Sequence, residues 1–123
     1  MKAYKAMKLG IGVFSLVAIL GVAMVTGCLR HPQVTVRNQS ASPLSNLVVS
    51  GSGFSQNLGA LAPGGQTHTR VSPSGDSSLH VAFDAGGKHH SVEAGYFEDS
   101  PHYRVTATVA ADFSVKVEVA LWP

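Results

Sequence analysis

Histidine and cysteine are the first side chains of this 123-residue sequence to consider for metal binding, and a cysteine thiol can also form a covalent bond. The chain has six histidines and a single cysteine, Cys28. One cysteine excludes a disulfide framework within the chain, and it excludes a zinc or iron–sulfur site built from cysteines. Metal binding would therefore depend on the histidines and on the carboxylates that the fold places beside them.

The best-placed histidines lie on two rungs of a predicted β-hairpin. With Gly86-Gly87 as the turn, His80 faces Glu93. Four residues along the same strand, Asp84 faces His89, about 13 Å away at ~3.3 Å per residue, whereas ligands of one metal lie within ~2.2 Å of it. Histidines that could approach from loops are His31, His68 and His102. We therefore expect solvated cross-strand pairs, with no metal site and no cofactor.

Local catalytic motifs are absent from the sequence. It contains no G-x-S-x-G elbow, no H-E-x-x-H pair and no G-x-x-x-x-G-K-[ST] loop, which would position a nucleophile, a catalytic zinc or a phosphate. A Ser-His-acid triad could still be assembled in space from distant residues. The sequence nevertheless favours a protein that is not an enzyme.

The start of the chain has the pattern of an export signal. Lys2, Lys5 and Lys8 form a positive segment, and residues 9–25 form an uncharged apolar run. These two parts are typical of a secretory signal peptide. The uncharged stretch from residue 9 to residue 29 is nearly long enough to span a bilayer, which takes ~20 apolar residues. A retained signal anchor is therefore the alternative to cleavage.

The tetrapeptide Val25-Thr26-Gly27-Cys28 resembles the lipobox of bacterial lipoproteins. In that family the cysteine thiol is diacylglycerated, the leader is cut before it, and the new amino group is usually acylated. The resemblance implies cleavage between Gly27 and Cys28 and a lipid anchor on Cys28, because two or more acyl chains hold a protein stably on a bilayer. The residue after the cysteine is Leu29 and not an aspartate, which in that family implies an anchor in the outer membrane, facing the periplasm.

Three segments follow from this assignment. Residues 1–27 would be the signal peptide, 28–32 the acylated N-terminus and a short tether, and 33–123 the folded domain. At ~3.3 Å per residue the tether keeps the domain within about 17 Å of the bilayer. The leader lysines account for the basic pI of 8.9, and the remainder is close to neutral, which argues against nucleic acid as a partner.

Alternating apolar and polar residues predict an all-β domain from residue 33 onward, because no stretch there has helical spacing over ten residues. The predicted strands cover residues 33–38, 47–50, 54–61, 66–72, 78–84, 89–97, 103–109 and 113–121. This pattern predicts an antiparallel β-sandwich of about seven or eight strands. Residues 34–49 (VTVRNQSASPLSNLVV) resemble the opening of immunoglobulin-like and transthyretin-like carboxypeptidase-regulatory domains.

Two predicted hairpins have registers that place their apolar residues on one face. In the first, Val81 faces Val92 across the Gly-Gly turn. In the second, a three-residue turn at 110–112 sets Arg104 opposite Glu118. In the second hairpin, a slip by one residue would lose both the apolar face and the pair of Arg104 and Glu118, so this register is well specified.

The same alternation leaves large aromatic side chains outside the core. With Tyr96 directed inward, Phe97 points outward. With Leu121 directed inward, Trp122 points outward at the end of the last strand. Twist at the strand ends could instead fold either ring over the rim of the core. The predicted interaction surface consists of Phe97, Glu98, Asp99 and Trp122.

These observations together predict a membrane-anchored envelope lipoprotein with a structural or protein-interaction role and an envelope protein as its partner. The weak strand 54–61 is a candidate edge for strand addition. One alternative is an accessory lipoprotein of a secretion or transport machine. Another is a periplasmic protein that binds a metal or another ligand through its histidines.

Overall fold

The structure, a computed structural model, describes residues 31–122. The predicted signal peptide, its cleavage site at Gly27 and the lipidation site Cys28 lie outside the described residues. No helix within the described part of the chain is long and apolar enough to cross a membrane.

Eight strands in two four-stranded sheets make up the described domain. They are β1 (Gln33–Asn38), β2 (Leu44–Gly51), β3 (Phe54–Leu61), β4 (Gln66–Arg70), β5 (Ser77–Ala85), β6 (Lys88–Phe97), β7 (Tyr103–Val109) and β8 (Val115–Leu121). One sheet has the order β4-β1-β7-β8 and the other β3-β2-β5-β6. Neighbouring strands are antiparallel except β1 and β7, which are parallel. The all-β prediction is confirmed.

Both sheets contribute to one apolar core, as in a β-sandwich. β5 shows the alternation most clearly, because Leu79, Val81 and Phe83 are fully buried while the residues between them are partly exposed. Val36 of β1 and Val105 of β7 are buried on the facing sheet. Burial of a side chain of this size is worth about 1.5–3 kcal/mol, so each of these residues contributes to holding the two sheets together.

The hairpin of β5 and β6 has the predicted register up to a bulge near its open end. Leu79 pairs with Ala94, but Ser77 pairs with Phe97, so β6 has one more residue than β5 in this interval. Gly95 lies there with a φ of 82°, a conformation that glycine adopts without strain. The additional residue reverses the alternation and buries Phe97 completely. The prediction that Phe97 points outward is therefore wrong.

The hairpin of β7 and β8 has a register two residues away from the predicted one. Arg104 pairs with Ala120, because the turn covers residues 110–114 and contains Phe113 at a φ of 65°. The predicted pair of Arg104 and Glu118 is thus wrong. Glu118 Oε1 instead lies 3.2 Å from Lys116 Nζ on the same strand.

The strand directions distribute the connections between two ends of the domain. At one end lie the segment before β1, the β6–β7 loop at residues 98–102, and the residue that follows β8. We call this the N-terminal end. The turns at residues 39–43, 62–65, 86–87 and 110–114 lie at the far end. The edge strands of the two sheets are β3, β4, β6 and β8, so the predicted edge position of residues 54–61 is confirmed.

Candidate interaction surface

Three polar contacts fix the chain immediately before β1. His31 Nδ1 lies 2.9 Å from Asp99 Oδ1 in the β6–β7 loop. Arg70 Nη1 at the end of β4 donates to the His31 carbonyl at 2.8 Å, and Val71 N donates to the Pro32 carbonyl at 3.2 Å. The entry of the chain is therefore held at the N-terminal end by two different elements.

Trp122 lies at the same end and continues the pairing of β8 by one residue. Its N–H donates to the His102 carbonyl at 2.6 Å, and His102 Nδ1 lies 2.8 Å from the Trp122 carbonyl oxygen. The Arg104 guanidinium carbon is 4.2 Å from the centroid of the indole ring, a cation–π distance. The ring is nonetheless 56% exposed, in agreement with its predicted outward position.

Arg104 connects the start of β1 with the end of β8. It pairs with Gln33 across the parallel β1–β7 ladder, and its Nη1 lies 3.4 Å from Gln33 Oε1. Adjacent strands are ~4.8 Å apart, so the first residue of β1 and the end of β8 are separated by about 10 Å across β7. The entry of the chain and Trp122 therefore belong to one surface.

Two further large side chains are exposed near this end, although alternation assigned both to the core. Leu121 is 70% and Tyr96 is 53% exposed. A Cβ atom on Gly95 would lie 3.0 Å from Val117 and 3.1 Å from Val119, so β8 packs against bare backbone of β6 at this point. A glycine inside a strand pattern is a signal for a bulge, and it could have indicated the outward position of Tyr96.

The acidic residues of the β6–β7 loop have partners. The Tyr96 hydroxyl donates to Glu98 Oε1 at 2.8 Å. This hydrogen bond, with smaller contributions from burial and from Asp76, raises the pKa of Tyr96 to about 12. The structure places Glu98, Asp99 and Trp122 at the N-terminal end. Phe97 is not part of this surface, because its ring packs toward Phe54 in the core with 6.2 Å between centroids.

A second polar surface lies on the outer face of the other sheet. Ser50, His80 and Glu93 stand in one row across β2, β5 and β6, beside a shallow depression of about 380 Å³. Ser50 Oγ lies 3.2 Å from His80 Nδ1, and Glu93 accepts a hydrogen bond from Ser78 at 2.6 Å. In a catalytic triad the acid holds Nδ1 and the nucleophile faces Nε2. This row has the serine on Nδ1 and the acid engaged elsewhere.

The other histidine rung forms the predicted cross-strand pair. His89 Nδ1 lies 2.7 Å from Asp84 Oδ1. A hydrogen bond from Asn46, followed in size by the one with His89, lowers the pKa of Asp84. The neighbouring His90 stacks on Phe83 with 5.1 Å between centroids and is partly buried. Within residues 31–122, no three His, Cys, Asp or Glu side chains are grouped so that they could hold a metal ion.

Comparison with known proteins supports the fold alone. No protein-family model matches the chain, and no curated protein matches it. A solved structure, described as the NMR structure of the protein from Eubacterium rectale, is similar with a TM-score of 0.51 and 16% sequence identity. The match covers 73% of this chain and 88% of that one.

Proposed function

We propose that this protein is a lipoprotein of the bacterial envelope, held on a membrane by acylated Cys28, with a non-enzymatic structural or protein-interaction role. The observation that carries the proposal is the lipobox-like tetrapeptide ending at Cys28, which follows a positive segment and an apolar run. The position of the first strand supports it, because β1 begins at Gln33 and leaves only a short tether after the cysteine. The proposed location is the periplasmic face of the outer membrane.

The strand order supports the transthyretin-like alternative for the type of sandwich. Seven-stranded immunoglobulin domains place the first, second, fourth and fifth strands in one sheet. Here β1 and β4 lie in one sheet and β2 and β5 in the other. We therefore propose a transthyretin-like sandwich, and a fold of this kind carries no activity by itself.

Edge strand β3 is the proposed site for the protein partner. The strand Phe54–Leu61 has no charged residue, and its exposed positions include Gln56 and Ala60. Charged side chains on an edge normally prevent another strand from pairing with it. An uncharged edge is therefore suited to strand addition, in which main-chain hydrogen bonds supply the affinity.

The lipoprotein assignment is tested by the intact mass of the protein extracted from membranes. We expect the mass of residues 28–123 plus the acyl groups on Cys28. The Cys28→Ser variant should keep its leader and lose the lipid mass. Parent protein of full length and without lipid, still in the membrane fraction, would identify a retained signal anchor and refute the proposal.

The interaction role is tested by crosslinking in cells. We expect a defined crosslinked complex that disappears in Gln56→Lys and persists in Ala111→Lys, a matched change in an exposed turn at the far end. A complex that is equally abundant in both variants would exclude β3. Thermal stabilisation by Zn²⁺ that is abolished by His89→Ala would instead favour the metal-binding alternative.

A further inference from the structure

The N-terminal end of the domain carries exposed apolar side chains beside the point where the chain enters the fold. We infer that this end is a membrane-contact surface, in which Trp122 and Leu121 enter the headgroup layer of the bilayer that holds Cys28. The inference rests on the proposed function, because it requires a lipid anchor. It adds a second, non-covalent contact and a fixed orientation of the domain.

The first argument is the reach of the tether. Cys28 and His31 are three peptide units apart, so their Cα atoms are separated by at most about 11 Å. His31 is held on the fold, because its side chain lies in contact with Asp99 and its carbonyl accepts a hydrogen bond from Arg70. A lipid on Cys28 therefore brings the N-terminal end, and no other part of the domain, against the bilayer.

The second argument is the chemistry of the exposed side chains there. Trp122 has a large apolar ring with one N–H group, and tryptophan is enriched at membrane–water interfaces for this reason. Leu121 precedes it and is the most exposed of the large apolar side chains among residues 31–122. The guanidinium of Arg104 lies over the indole ring, where it can also pair with a headgroup phosphate. The N-terminal end thus combines apolar, aromatic and cationic groups beside one another.

The third argument is that the acidic groups at this end have local partners. Asp99 lies against His31, and Glu98 accepts the hydrogen bond of Tyr96. Asp76 is exposed in the β4–β5 connection, which joins the two sheets, and it contributes to the raised pKa of Tyr96 on β6. These acidic groups therefore have partners other than Arg104, which lies beside Trp122 at the end of β8. We expect the membrane contact to depend on insertion of apolar side chains more than on anionic lipid.

A protein partner is a less suitable occupant of this surface. With the tether as short as it is, a partner would have to fit between the domain and the bilayer. Headgroups are already present at that position once Cys28 is acylated. A partner that covers Trp122 is retained as an outcome of the test.

The experiment uses the intrinsic fluorescence of Trp122, the only tryptophan in the chain. The acylated protein is reconstituted into vesicles of phosphatidylethanolamine and phosphatidylglycerol, with or without nitroxide-labelled headgroups. The control is the double variant Ala111→Trp, Trp122→Phe, which moves the reporter to an exposed turn at the far end. The seven residues of β8 separate the two positions by about 20 Å at ~3.3 Å per residue.

We expect headgroup nitroxides to reduce Trp122 emission about twofold and to leave the far-end reporter nearly unchanged, because only the first position lies within the interface. Leu121→Ser should weaken the quenching of Trp122. Equal and small quenching of both reporters would overturn the inference. Protection of Trp122 from soluble acrylamide in envelope membranes, but not in pure vesicles, would also overturn it and would indicate a protein partner.

Failure of the inference and failure of the proposed function give different results. The mass of each reconstituted sample reports whether Cys28 carries lipid. An acylated protein whose Trp122 is not quenched refutes the membrane-contact surface and leaves the lipoprotein assignment intact. A chain that carries no lipid when purified from its native membrane refutes both.

Discussion

The bulge at Gly95 makes a sharp prediction about two neighbouring aromatic residues. Phe97 is fully buried, and Phe97→Ala should lower the free energy of unfolding by about 3–5 kcal/mol through lost burial and a cavity. Tyr96 is about half exposed, and its hydroxyl donates a hydrogen bond to the exposed Glu98. Tyr96→Ala should therefore cost no more than about 1 kcal/mol. Plain alternation without the bulge predicts the opposite ranking.

Equilibrium unfolding in urea measures both variants against the parent protein. The signal is Trp122 fluorescence with far-ultraviolet circular dichroism as a second probe, and coincident transitions justify a two-state fit. Tyr96→Phe serves as a control that removes only the hydroxyl. A larger cost for Tyr96→Ala than for Phe97→Ala would mean that β6 has no bulge. The assignment of Phe97 to the core would then be refuted.

Three further changes test other parts of the structure. Gly95→Ala should cost more than Gly59→Ala: both glycines have positive φ, worth about 1–2 kcal/mol for another residue, but only Gly95 has neighbours within 4 Å of a new Cβ. Asn38→Ala should lower the free energy of unfolding by about 1–3 kcal/mol, because the buried amide donates to the carbonyls of Leu61 and Ala62 at the end of β3. Hydrogen bonds from Asn46 and His89 lower the pKa of Asp84 from its ordinary value of 3.8. The Asp84 carboxylate therefore stabilises the fold at pH values above 3.8, and this contribution is lost as the pH falls through the lowered pKa. Asn46→Gly, which keeps a residue suited to positive φ, should therefore flatten the loss of stability on acidification, measured by urea unfolding from about pH 5 to pH 3.

The contrast between the two hairpins shows what alternation can specify. A slip by one residue exchanges the faces of a strand, so the apolar pattern excludes it. A slip by two residues keeps every residue on its face, and the pattern of β7 and β8 is compatible with both registers. The choice depends on the turn, where Asp112 Oδ1 accepts from both the N–H and the hydroxyl of Ser114. Such side-chain contacts are not visible in periodicity.

The composition of the candidate surface was only partly predictable. The outward position of Trp122 follows from alternation along β8. Its closeness to His31 does not, because it depends on the parallel pairing of β1 with β7, which joins residues about seventy positions apart. The burial of Phe97 depends on one additional residue in β6, which a count of apolar and polar positions does not reveal.

The most direct test of the account is incorporation of labelled fatty acid into the protein in its native host. We expect label on a chain of the size of residues 28–123, found in the membrane fraction, and no label on the Cys28→Ser variant. Membrane association of the parent protein at full length and without label would contradict the account.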